Sequence, residues 1–179
     1  LGIPSDSERA SLYDALTGVA SLDEIRVPVP DLPHLQLIPS DRDVTGAEIE
    51  LVDAEAREFR LKRLLEDYST PFEYGFIDCP PSLGLLTVNA LAAADAVLIP
   101  VQSEYLALEG MSQLIDTVNR IREALNPGLA IQGVLMTMFD ERTNLARQVV
   151  DEVRGVFGDQ VYSTVIPRNV RLGEAPSHG

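Results

Sequence analysis

Apolar side chains recur at helical spacing through the first third of the chain and gather into short, unbroken runs after Phe72. Ser5 and Asp6 precede Glu8, Leu12 and Leu16, and Gly18 closes the run, which predicts a capped helix over 7–17. Three prolines between Val27 and Pro33 exclude a helix there. Leu35 to Ile38 predicts a short strand stopped by Pro39 and Ser40. From Thr45 a helical pattern passes through Ile49, Val52 and Ala56. Phe59, Leu61, Leu64 and Leu65 carry it on to Tyr68, as a second helix or after a kink.

Beyond Phe72 the pattern predicts strands at 74–78, 96–101, 131–138 and 160–166, with helices at 84–94, 106–125 and 143–156 between them. Each strand is an apolar run rather than an alternation, so cover is expected on both faces. Strand and helix in this rhythm imply right-handed βαβ crossovers: an α/β fold with a mainly parallel, twisted sheet and helices on both faces. The sequence shows no internal repeat and no low-complexity tract.

At 179 residues, 45% apolar and 23% charged, the chain has the size and composition of one globular domain, which excludes collagen-like and disordered classes. No apolar run reaches the roughly 18 residues of a membrane helix, and no secretion signal opens the chain, so a soluble, cytoplasmic protein without membrane contact is expected. One cysteine, Cys79, rules out an internal disulfide framework, and His34 and His178 offer little to a zinc site. The chain starts at Leu1 and stops at Gly179 after a loop-like Pro-Ser-His run, and it reads as a fragment cut at both ends.

The net charge of −14 disfavours general affinity for nucleic acid. Its distribution changes that picture. Residues 1–110 hold 20 acids against 7 bases, whereas residues 111–179 hold 8 acids against 7 bases, every one an arginine. An anion-binding face belongs in the last third.

Ligands of open α/β sheets bind outside the carboxyl ends of the strands, and four such ends carry unusual chemistry here. Asp78, in Ile77-Asp78-Cys79-Pro80-Pro81-Ser82, ends a buried strand, where a carboxylate needs a cation or donors; it fits a Mg²⁺-holding position or a cap of the following turn. Gln102 and Glu104 reach the same rim, and Glu109 follows early in a helix, as nucleotide-edge groups or an ordinary helix start. Thr137, Met138, Phe139 and Asp140 supply one wall of a base pocket or simply core. Arg168 and Arg171, joined by Arg142, suit phosphate of a nucleotide or a nucleic-acid backbone, or a solvated surface. Cys79 has no histidine near it in sequence and reads as inert.

Five collinear stretches resemble the ParA/Soj chromosome-partitioning ATPases: 46–51 (Gly-Ala-Glu-Ile-Glu-Leu), 77–84 (Ile-Asp-Cys-Pro-Pro-Ser-Leu-Gly), 104–110 (Glu-Tyr-Leu-Ala-Leu-Glu-Gly), 137–144 (Thr-Met-Phe-Asp-Glu-Arg-Thr-Asn) and 165–172 (Val-Ile-Pro-Arg-Asn-Val-Arg-Leu). The resemblance implies a P-loop ATPase fold of the deviant Walker A kind, ATP and Mg²⁺ as ligands, and a homodimer with ATP at its interface. It also implies non-specific DNA binding, nucleoid association, and a ParB-type centromere-binding partner that stimulates hydrolysis. By matching position, Asp78 is the Walker B aspartate acting on Mg²⁺ indirectly, and Pro80 lies in the switch II loop. Thr137 and Met138 lie near adenine with Pro167, Arg168 and Asn169 on its other side, Glu104 lies near the nucleotide interface of the dimer, and Arg142 and Arg171 contact DNA.

The resemblance also marks departures. The Gly-rich Walker A loop with two lysines and the switch I aspartate are expected upstream of Leu1, and further helices downstream of Gly179, so residues 1–179 are expected to form one partial ATPase domain. The single lysine is Lys62, within a helical stretch, so the 179-residue chain is expected not to hydrolyse ATP by itself. Gly75 replaces a β-branched strand residue and Gly173 a serine. Two alternatives stand beside this assignment: a MinD-like ATPase cycling on membranes through a C-terminal amphipathic helix, and a nucleotide-free adaptor using the sheet edge.

Overall fold

The structure, a computed structural model, describes residue 3 and residues 9–80, 84–104 and 107–174. They fall into two compact units, one built from residues up to Ala93 and one from Ala94 to Ala175.

The first unit is made of short helices and one hairpin. Helix α1 (Leu12–Thr17) begins at Ser11, not at the expected Ser5 and Asp6, which lie outside the described residues. Ser11 and Asp14 form a reciprocal capping box, with Ser11 N donating to Asp14 Oδ2 at 2.8 Å, and Gly18 closes the helix at φ 88°. A second capping box, Ser21 with Glu24, starts the four-residue helix α2 (Leu22–Ile25), which the apolar spacing did not predict. Strands β1 (Val27–Val29) and β2 (Leu32–Leu37) pair antiparallel, extending the strand expected at 35–38. The helical pattern from Thr45 breaks into α3 (Val44–Glu50) and α4 (Arg60–Glu66), with Ala56 in a left-handed conformation at φ 51° between them. Helix α5 (Leu85–Ala93) completes the unit.

Leu16, Ala47, Leu51 and Leu61 form one apolar cluster, and Ala15, Leu22 and Ile25 another. A buried polar residue joins the helices around them. Asn89, 1% exposed, accepts from Leu61 N at 3.1 Å and donates to Arg57 O at 2.9 Å, so it satisfies an amide in the first turn of α4 that has no intrahelical partner.

The strand expected at 74–78 does not form. Residues 74–80 carry no strand, and Tyr74 and Phe76 are 76% and 89% exposed. A strand exists only through its ladder, and no strand among the described residues pairs with this segment.

The second unit holds the parallel sheet, ordered β3 (Ala96–Gln102), β4 (Ala130–Phe139), β5 (Val161–Pro167). Helices α6 (Ala107–Ala124) and α7 (Asn144–Phe157) make the crossovers, and α8 (Val170–Glu174) follows β5. All six elements fall within two residues of the expected bounds where an expectation was made. Ile99, Val101, Val134 and Met136 of the sheet pack with Met111 of α6 and Val149, Val150 and Val153 of α7. Strand β3 nevertheless alternates, leaving Leu98 and Pro100 exposed beside buried Ile99 and Val101. Gly133 permits the close approach of β4 to β5: at φ 157°, a Cβ there would lie 2.6 Å from Tyr162 Cε2 and 2.9 Å from Gln160 O.

Replacing Asn89 by alanine strands the buried Leu61 amide and is expected to cost about 2 kcal/mol. Urea unfolding measures it, and a loss below about 0.5 kcal/mol would remove Asn89 from its joining role.

Candidate functional site

Three strand ends of the second unit are brought level by the ladder register, which sets Gln102 opposite Thr137 and Phe139 opposite Pro167. Ser103, buried just past β3, donates to Thr137 O from its N at 3.1 Å and from its Oγ at 3.2 Å. Thr137 Oγ1 in turn donates to Val101 O at 3.2 Å. The threonine therefore locks the end of β3 to β4, and its hydroxyl keeps lone pairs for a further donor.

Beyond Thr137, β4 bulges. Met136 pairs with Val165 and Phe139 with Pro167, so two residues of β4 face one of β5. Met138 absorbs the extra length at φ 53°, a left-handed conformation uncommon for a side chain of its size, and stays 37% exposed. Arg168 N donates to Phe139 O at 2.9 Å, which holds the segment 167–169 alongside the bulge. Asn169 Oδ1 accepts from Arg171 N at 2.9 Å and turns the chain into α8. Thr137, Met138, Pro167, Arg168 and Asn169 thus share one rim.

Asp140, next along β4, gathers the arginines. It accepts from Arg142 N at 3.1 Å, Arg142 Nε at 2.9 Å and Arg142 Nη2 at 2.7 Å. These bonds, aided by the charge of Arg168, hold the Asp140 carboxyl down at about 2, and the same pairing raises Arg142. The Arg142 side chain remains 87% exposed, so the pair orients the guanidinium without burying it. Thr143 caps α7, accepting from Ala146 N at 3.3 Å and donating to Asp140 O at 3.1 Å. The sequence marks this pairing only weakly, as an Asp two residues before an Arg.

Glu104 is exposed and its N donates to Gln102 O at 2.8 Å in a tight turn. It borders an open groove of about 330 Å³ lined also by Val101, Gln102, Met111 and Leu114. Tyr105, Leu106 and the Glu109 side chain lie outside what is described, as do Pro81 to Leu83 and His178.

Asp78 and Pro80 belong to the other unit, in its exposed 71–80 segment. Among the described residues the Asp78 carboxylate has no hydrogen-bond or ion-pair partner, which leaves it available to a cation or its water shell. Crowding by neighbouring atoms, then the Asp78 charge, pushes the Cys79 thiol up, away from the thiolate a nucleophile needs. Among the described residues no group of three or more His, Cys, Asp or Glu side chains is placed to hold a metal.

The AAA domain family model AAA_31 matches residues 1–131. Over the whole chain, identity is 52% to the chromosome partitioning protein ParA of Myxococcus xanthus and 54% to the sporulation initiation inhibitor protein Soj of Bacillus subtilis. The chain spans 63% and 70% of the lengths of these two curated relatives. Among solved structures, a cobyrinic acid a,c-diamide synthase from Mycobacterium smegmatis with bound ATP analogue and magnesium is similar at a TM-score of 0.87 and 35% identity, over 95% of this chain and 69% of that one.

The Asp140–Arg142 pair is present above the ordinary carboxylate range and is lost as pH falls through about 2, because the folded state holds the group down. Replacing Arg142 by alanine is expected to return Asp140 toward 3.8, read by carboxyl NMR titration. An unmoved titration would transfer the cause to Arg168.

Proposed function

The chain belongs to the ParA/Soj family of partitioning ATPases, and from that premise we propose that the protein is an ATP-switched DNA binder of chromosome or plasmid segregation. ATP with Mg²⁺ is its ligand, a reading supported by the ATP analogue and magnesium in the Mycobacterium smegmatis neighbour. The observation that carries the proposal is the rim of the second unit, where the Met138 bulge and the Arg168 N to Phe139 O bond at 2.9 Å set 137–138 beside 167–169.

On this reading residues 1–179 are part of one P-loop ATPase domain. Thr137 and Met138 flank the adenine on one side, and Pro167, Arg168 and Asn169 on the other. Glu104 lies at the nucleotide edge of an ATP-bound homodimer. Magnesium supplies neutralisation of the charge that develops on the phosphates. Asp78 holds the ion through its water shell, for which its unpartnered carboxylate is suited, and Pro80 stiffens the switch segment that follows. With one lysine, Lys62, and no Gly-rich loop carrying paired lysines, the 179 residues alone hydrolyse no ATP; hydrolysis belongs to the full-length protein.

Arg142 and Arg171, both exposed, meet the DNA backbone without reading bases. A ParB-type partner stimulates hydrolysis and resets the dimer, and the protein works in the cytoplasm on the nucleoid. No helix among the described residues is long and apolar enough to cross a membrane.

Binding of the full-length protein to random-sequence DNA, with and without ATP and Mg²⁺ and titrated against salt, tests the proposal. ATP-dependent binding with a steep salt slope is expected. Arg142→Ala with Arg171→Ala should flatten that slope by about two, one for each lost phosphate contact. An unchanged slope and affinity would overturn the arginine assignment, and equal binding without ATP would overturn the switch.

A further inference from the structure

Helix α5 opens the chain's return from the Asp78 segment, and it starts without a cap of its own. Its first intrahelical bond runs from Val88 N to Gly84 O at 3.1 Å, so Gly84 occupies the position where Ser, Thr, Asp or Asn ordinarily offers an oxygen to the free amides of the first turn. A glycine has none to offer. The acceptor comes instead from another helix: Glu48 of α3 receives Leu86 N on Oε1 at 3.1 Å.

Three observations show that this contact is built rather than incidental. Glu48 is half-buried, and it follows Ala47, which is 0% exposed and packs in the cluster that Leu85 and Leu86 join. A Cβ at Gly84 would fall on Glu48 Oε1 and come within 3.0 Å of its Cδ, so the glycine makes the space the carboxylate occupies. The carboxylate also lies at the positive end of a nine-residue helix, where its charge is favoured.

We propose that Glu48 is a positioning residue for ATP hydrolysis: by capping α5 from α3 it fixes, at Gly84, the far end of the segment that begins six residues earlier at Asp78. This rests on the ATPase reading of Asp78 and adds a role that a bare motif match does not give to Glu48 or Gly84. A segment tethered at Gly84 presents Asp78 with fewer conformations, and loss of the tether lowers turnover more than it weakens nucleotide binding.

The test uses the full-length protein with Glu48→Ala, Glu48→Gln, Gly84→Ala and the double Glu48→Ala, Gly84→Ala. Amide hydrogen exchange at 84–88 is followed without nucleotide, and steady-state ATP turnover with Mg²⁺ separates kcat from KM. Glu48→Ala and Gly84→Ala are each expected to speed exchange at Leu86 and to lower kcat by roughly tenfold, with KM within about twofold. Glu48→Gln, whose amide oxygen still accepts the Leu86 bond, should recover kcat to within about twofold, and the double variant should be no worse than the poorer single one, because both remove the same contact. Unchanged exchange at Leu86 in Glu48→Ala would overturn the cap. Faster exchange with normal kcat, or additive losses in the double variant, would overturn the positioning role. If Glu48→Ala does not fold, Gly84→Ala carries the comparison, since it displaces the carboxylate without removing it. A wild-type protein that hydrolyses no ATP overturns the ATPase reading on its own measurement, independently of the exchange result.

Discussion

Between Met136 and Phe139, strand β4 is one residue longer than the stretch of β5 it pairs with, and the second unit is arranged around that mismatch. A bulge with a non-glycine residue at φ 53° costs of order 1–3 kcal/mol, so it persists only where neighbours over-determine it. Here they do. Ser103 and Thr137 bind the strand on its β3 side, and Arg168 N fastens Phe139 on its β5 side. The buried apolar cluster of Val134, Met136 and Val150 fixes the strand below the bulge, so the extra residue can only emerge at the carboxyl rim.

What emerges there is polar and cationic. Phe139 remains with the core while Asp140, the next residue, turns out to take Arg142 in three hydrogen bonds. An exposed pair of this kind contributes little to stability, and its consequence is orientation: a guanidinium held by one carboxylate has lost most of its rotamer freedom before any anion arrives. The near balance of charge in residues 111–179, against the acidic first part of the chain, makes this rim the place where a polyanion meets least repulsion.

The first unit solves a different problem. Its helices run from four to nine residues, too short to be stable alone, and each must have its end groups satisfied. Ser11 with Asp14 and Ser21 with Glu24 do this locally, within four residues of sequence. Helices α4 and α5 do it through partners 28 and 38 residues away, Asn89 for Leu61 and Glu48 for Leu86. The same bonds that cap the helices therefore set how they pack, and a polar side chain in each case specifies a contact that apolar surface alone would leave free to slide.

The sequence by itself determined the βαβ rhythm of the second unit, because apolar runs, helical spacing and the intervening loops are local properties, and β3 to α7 lie within two residues of where they imply. It also determined which residues reach the rim, since Gln102, Thr137 and Pro167 close strands whose ends the parallel register must align. The local Ser-x-x-Glu signature of α2 was legible too, though apolar spacing passed over it. Only the tertiary structure decided the rest. An apolar run at 74–78 has strand propensity, yet a ladder needs a partner, and propensity cannot supply one. A one-residue bulge at Met138 leaves no mark in composition, because it arises from the difference in length between two strands. Glu48 looks like any solvated acid on a helix until α5 brings the Leu86 amide to 3.1 Å from it, since hydrogen bonds across 38 residues depend on packing that no local pattern encodes.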